Sequence, residues 1–304
     1  MEPTPPFAGL VAAGLVLRDS DRSMLLTFYR LLARLPLGWL HRLGRGLGLL
    51  VYRSSADYAV RLRANAALAG YEGEDFARRS AAAAGEGALE IPRVWFRPDQ
   101  ALAQCRSDDW DAVQEAKDEG KGILFLTPHL GCFEVAARYC AYRGGPITVL
   151  YRPPRKAWVA QLVEGGRRGP NLDTAPANLQ GVRQLVRALR RGEAIGILPD
   201  QVPGNGEGVW APFFGKPAFS MVLPGRLAAQ TGAAVVLVAG ERLPGAQGWK
   251  VHFLRLHGAV PETAEGQAAW INAGMEAMIR RCPEQYLWGY NRYKAPRGET
   301  PPAA

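Results

Sequence analysis

The stretch Gly122-Ile-Leu-Phe-Leu-Thr-Pro-His-Leu-Gly-Cys-Phe-Glu134 limits the folds open to this chain more than any other. Residues 123–126 are apolar at every position. A strand with one solvated face alternates apolar and polar residues, so a strand without alternation is buried on both faces. The run stops at Thr127-Pro128, and helix-forming residues resume at Phe133. Similar apolar runs stand at 147–151, 194–198, 233–239 and 251–256, with helical patterns at 133–143, 157–168, 179–191, 224–230 and 266–281. This alternation predicts an α/β fold: a mainly parallel or mixed central sheet flanked by helices, antiparallel at one edge.

Upstream of the sheet, residues 24–52 are rich in leucine and broken by Arg30, Arg34, Arg42 and Arg45, with Pro36 dividing two helices. Segments 55–70 and 74–97 read as two more helices, and 110–119 as a short amphipathic one. An apolar, Trp-containing face beside arginines fits a helix lying in a membrane interface. A helical hairpin packed on the domain fits the same residues. The apolar run 7–17 is too short to span a bilayer and has no basic region before it. Met24 is an alternative start. The expected organisation is a leader with membrane-associating helices over 1–54, an α/β domain over 55–298 and a disordered tail over 299–304.

The formal net charge of +9 and pI of about 9.6 attract nucleic acid, anionic lipid or a phosphorylated substrate. A GC-rich genome, which favours arginine over lysine, accounts for the composition equally well. No nucleic-acid-binding module is visible, which leaves lipid or phosphate. The four cysteines show neither CxxC pairing nor tight spacing, as in a reduced protein. GxSxG and Walker A signatures are absent, as is a complete GxGxxG.

Three constellations carry chemistry. His129 and Glu134 stand five apart, about 140° around a continuous helix, so they meet only if the chain breaks between them. Pro128 and Gly131 provide such a break. A neutral imidazole near a positive helix end, oriented by a carboxylate, suits a general base for a hydroxyl. A loop histidine beside a capping glutamate is the structural alternative. Next, Tyr151-Arg152-Pro-Pro lies at the end of a strand, with Arg155, Lys156 and then Arg167-Arg168 beyond it. That edge is where α/β proteins bind ligands, and these cations suit a phosphate or an oxyanion. Third, Asp200 and Gln201 end another buried strand, followed by a Gly/Pro/aromatic stretch to Lys216 that reads as a long loop, either covering a ligand or packed on the surface.

His129-Leu-Gly-Cys-Phe-Glu134 resembles the HX4(D/E) motif of the glycerolipid acyltransferase superfamily. Gly131, with the aromatic Phe133 before the Glu, is similar to its lipid A branch, the late lauroyl/myristoyl acyltransferases of Gram-negative bacteria. Further segments agree in order: Leu35-Pro36-Leu, Tyr151-Arg152-Pro, Leu198-Pro-Asp200-Gln with Ala211-Pro-Phe-Phe-Gly215, and Tyr290-Asn-Arg292-Tyr-Lys294-Ala-Pro296. The resemblance spans about 24–298. It implies His129 as general base and Glu134 as the group that orients it and stabilises the imidazolium. It also implies an oxyanion partner from Arg167 or Arg168, and substrate positioning by Arg152, Asp200 and Gln201. The implied donor is an acyl carrier protein loaded with a fatty acid, and the acceptor a hydroxyl of a lipid A precursor. The implied setting is the cytoplasmic face of an inner membrane of anionic phospholipid, with no metal, prosthetic group or covalent intermediate. This sequence departs from the family in having Cys132-Phe133 where Asn-Trp is common, and no residue between its two basic positions at 167–168. Rival readings are an acyltransferase for lysophosphatidic acid or ornithine lipid, and a non-catalytic lipid-binding protein.

Overall fold

The computed structural model describes residues 19–154, 157–204 and 206–302; the apolar run 7–17, Arg155 and Lys156 lie outside them. Helices come first: α1 (Asp19–Leu32), α2 (Leu37–Ser54), α3 (Ala56–Leu68), α4 (Glu74–Phe96) and the short α5 (Pro98–Leu102). Strand and helix then alternate: β1 (Cys105–Arg106), α6 (Asp111–Asp118), β2 (Ile123–Leu126), α7 (Phe133–Gly144), β3 (Ile147–Tyr151), α8 (Ala157–Arg167), β4 (Leu172–Pro176), α9 (Leu179–Arg190) and β5 (Ala194–Ile197). The chain closes with β6 (Gly208–Phe213), β7 (Lys216–Met221), α10 (Leu223–Thr231), β8 (Ala234–Arg242), β9 (Trp249–Arg255) and α11 (Ala264–Ile279).

Seven strands form one sheet in the order β1-β9-β8-β2-β5-β3-β4. Strands β8, β2, β5, β3 and β4 are parallel and β9 runs antiparallel to β8, so the expected mainly parallel sheet with an antiparallel edge is what forms. Leu124, Leu126, Ile195, Ile197, Val235 and Leu237 pack to one side, against α9, α10 and α11. Ile123, Phe125, Ile147, Val149, Val236 and Val238 pack to the other, against α6 and α7. Burying each such side chain contributes about 1.5–3 kcal/mol, which is why these runs tolerate no polar position.

Three segments depart from the sequence expectation, the first being the two-residue edge strand β1 beside β9. Residues 208–221 are the hairpin β6–β7, not a loop. Phe214 and Gly215 both adopt positive φ (47° and 74°) at its two-residue turn, the twist that favours tight hairpins. Phe213 and Phe219 are buried, so the apolar character of this stretch comes from packing. Leu172–Pro176 forms the edge strand β4 although polar residues interrupt it and a proline ends it, a pattern that edges accept.

The N-terminal helices are fastened to the domain by backbone contact. At Gly44 and Gly48 of α2 a Cβ would overlap the Gly85 and Ala81 carbonyl oxygens of α4, and at Gly85 it would overlap that of Gly44. Beside this crossing lies a buried ionic cluster. Glu90 of α4 accepts from Arg242 (Nε 3.0 Å, Nη2 2.7 Å), Trp249 Nε1 (3.0 Å) and His41 Nε2 (3.2 Å), tying α2 and α4 to β8 and β9. The outer face of α2 exposes Trp39, Leu43 and Leu50, and α1 exposes Phe28 and Leu31. Among the described residues no helix is long and apolar enough to cross a membrane.

Candidate active site

Strands β2 and β5 are parallel neighbours, so the segments leaving their carboxyl ends, Thr127-Pro128-His129 and Leu198-Pro199-Asp200, emerge side by side. Asp200 is almost fully buried and clamps the histidine twice. Its Oδ2 accepts from the His129 backbone N–H at 2.8 Å and its Oδ1 lies 2.7 Å from Nδ1. An ionised carboxylate only accepts, so Nδ1 carries a proton; in the neutral ring Nε2 then presents its lone pair. Burial would raise the Asp200 carboxyl, but the adjacent His129 and Arg292 hold it below the ordinary carboxylate value. Buried Arg292 is fixed in turn by Phe219 O and Ser220 Oγ, both at 2.7 Å. Burial and the Asp200 charge together push the neighbouring Tyr286 hydroxyl well up, so it stays protonated.

The carboxylate beside the imidazole is therefore Asp200, a correction to the expected His129–Glu134 pairing. Glu134, in the first turn of α7, is directed elsewhere. Its Oε1 accepts from Arg167 (Nε 2.9 Å, Nη2 2.5 Å) and its Oε2 from Trp95 Nε1 at 3.0 Å. The physical reason is helical phase. As the second residue of α7, Glu134 projects toward the end of α8, whereas the loop before α7 carries His129 against Asp200 at the end of β5. Burial works to lower the Arg167 guanidinium, yet Glu134 more than offsets it and the net direction is up, so the pair stays ionic.

The two adjacent arginines separate. Arg167 joins Glu134, while Arg168 faces outward onto Glu164 at 2.7 Å. Arg152 is also exposed, 3.9 Å from Glu207, and the structure does not bring it to His129. Gln201 does reach the histidine, its Nε2 3.3 Å from the ring Nε2. Phe133 packs edge-on to the imidazole at 5.1 Å. Gly131 holds the loop: its φ is +57°, its N–H donates to Gln285 O at 3.0 Å, and a Cβ there would overlap the Gly240 carbonyl oxygen. Trp95, the second donor to Glu134, carried no sequence signal beyond ending a helix. Gly166 lets α8 lie against it, since a Cβ there would meet the indole at 2.5 Å.

Two cavities flank Phe133. An inner one runs from Glu134 and Arg167 between the sheet and α7, past Ala137, Cys140, Val149 and Leu172. An outer groove of about 190 Å³ holds His129, Gly131 and Gln201 on one wall and Ala84, Gly87, Ala88 and Ile91 of α4 on the other. The site thus sets an oriented imidazole on an apolar groove, with a buried carboxylate–guanidinium pair beyond one ring.

The sequence profile of bacterial lipid A biosynthesis acyltransferases matches residues 15–295. The chain is 28% identical over 272 residues to the lipid A biosynthesis lauroyltransferase of Escherichia coli K12, covering 87% of this chain and 88% of that protein. It is 27% identical over 219 residues to the lipid A biosynthesis palmitoleoyltransferase of the same organism, and to a lipid A biosynthesis acyltransferase of Shigella flexneri, covering 71% of each chain. With the profile spanning nearly the whole chain, this protein is an acyltransferase and belongs to the bacterial lipid A biosynthesis acyltransferases.

Proposed function

We propose that the protein transfers a fatty acyl chain from an acyl carrier protein thioester to a hydroxyl of a lipid A precursor, with His129 as general base. The observation that carries this reading is the His129–Asp200 clamp: a buried carboxylate fixes the proton on Nδ1 and leaves Nε2 open to the outer groove. The acceptor hydroxyl displaces the long Gln201 contact and donates to Nε2. As its oxygen attacks the thioester carbonyl carbon, the proton passes to Nε2, and the imidazolium is stabilised by Asp200. Negative charge collects on the former carbonyl oxygen. We assign the stabilisation of that charge to Arg167, which Glu134 holds in the cavity on the other side of Phe133. Collapse breaks the C–S bond, and the imidazolium proton goes to the departing thiolate.

A net charge of +9 favours an acidic carrier protein and an anionic bilayer alike. Trp39, Leu43 and Leu50 with the neighbouring arginines form the face that lies in the membrane interface, on the cytoplasmic side of the inner membrane. The test is mass spectrometry of lipid A from a strain lacking the gene, complemented with wild type or His129→Ala. Loss of one secondary acyl chain, restored only by wild type, is expected; an unchanged lipid A profile refutes the reading.

A further inference from the structure

Beyond the outer groove, across Ala83 and Gln285, opens a second and larger one of about 510 Å³. Arg42 and Arg45 of α2, Arg79 of α4 and Arg242 line it, against two carboxylates, Glu86 and Glu284. Arg242 is neutralised by buried Glu90, so the cations that face the groove are Arg42, Arg45 and Arg79. Arg45 leans on Glu86 at 2.8 Å, and Arg79 on Glu284 at 2.6 Å and on Asp75 one turn before it, but the two arginine side chains remain 64% and 48% exposed. A guanidinium has five N–H donors, so each keeps several for a ligand. Among the described residues Arg42 has no carboxylate partner; its guanidinium lies 5.8 Å from the Trp39 ring centre.

We infer that this groove binds a phosphate group carried by the acceptor lipid, an inference that rests on the acyltransfer reading and adds a recognition subsite to it. Three placements support the assignment. First, the groove adjoins the one that holds His129, with Ala83 and Gln285 as their common wall, so one ligand can span both. Second, the reach suits a headgroup. Gly87 stands beside Gly131, where a Cβ would lie 3.7 Å from its carbonyl oxygen, and Arg79 is two turns away, about 12 Å along α4. Third, at about 100° per residue Trp39, Leu43 and Leu50 fall within about 40° of one another on α2. Arg42 and Arg45 occupy the flank between that stripe and the buried face. Apolar chains on one side and an anion on the other describe a phosphorylated lipid, and planar guanidinium forks match phosphate oxygens.

The experiment uses the full-length enzyme with a phosphorylated acceptor and the same acceptor freed of phosphate, in vesicles of fixed composition (phosphatidylethanolamine and phosphatidylglycerol, 3:1). Wild type should prefer the phosphorylated acceptor. Arg42→Gln and Arg79→Gln should each raise KM for it by about tenfold and bring the kcat/KM ratio of the two acceptors toward one. Circular dichroism confirms that each variant is folded. An equal loss on both acceptors means that the arginines read the bilayer's own phosphates, and a rise in the donor's KM means that they read the carrier's phosphodiester; either overturns the inference. So does a wild-type enzyme that acylates both acceptors equally. Failure of wild type to acylate either one counts against the acyltransfer reading itself.

Discussion

Replacing Glu90 by glutamine should remove about 3 kcal/mol of stability at neutral pH. The carboxyl has no exposure, and burial alone would raise its pKa; Arg242 and His41 outweigh burial and bring it from 4.5 down to about 2. That displacement corresponds to about 3 kcal/mol of preference for the ionised form in the folded state. A depressed carboxyl stabilises fully above its unfolded value, and the contribution is lost as pH falls through the folded one. The gap between wild type and Glu90→Gln should therefore be full above about pH 4.5 and shrink toward pH 2. Removing one partner of a buried ion pair costs about 3–5 kcal/mol by a separate route, because the other charge is left uncompensated. Reversible urea unfolding followed by circular dichroism, in constant detergent at pH 7, 5 and 3, gives the gap directly. Glu90→Met combined with Arg242→Met should recover most of the loss, since no charge then remains stranded. A gap below about 1 kcal/mol at pH 7, or one of equal size at pH 3, would show that the cluster does not hold α4 to the sheet electrostatically.

Asp200→Asn should keep the fold but lower kcat by on the order of 10³–10⁴, because an amide can stabilise the wrong imidazole tautomer; steady-state kinetics with an intact circular dichroism spectrum is the check. Arg167→Gln should cost at least about 10² in kcat, while Arg168→Gln, exposed on Glu164, should cost less than about threefold in the same assay. Gly48→Val should force α2 away from α4 and appear as a lowered thermal midpoint with increased protease cleavage between residues 30 and 60, since the Ala81 carbonyl leaves no room for a side chain.

The sheet was legible because burial on both faces writes itself into sequence as unbroken apolar runs, as at Ile123–Leu126 and Ala194–Ile197. Strand β4 and the hairpin β6–β7 were not, because an edge strand and a packed hairpin both accept polar residues, prolines and glycines. His129, Asp200 and Gln201 were legible as ends of buried strands. Their pairing was not: five residues of separation drew attention to Glu134, while the true partner lies 71 positions away and is brought close only by the parallel register of β2 and β5. The choice between Arg167 and Arg168 depends on where α8 ends and on the bed that Trp95 provides, and neither leaves a local mark.

The glycine crossing between α2 and α4 also bears on how this chain can change over generations. Where two helices meet through side chains, an enlargement on one can be answered by a reduction on the other, and the pair drifts together. Here the obstacle to a Cβ at Gly44, Gly48 or Gly85 is a main-chain carbonyl, or nearly so, on the facing helix. No substitution removes a carbonyl. These glycines therefore have no compensating partners, and though they touch no reacting group they should be among the slowest positions to vary, without covariation to reveal why.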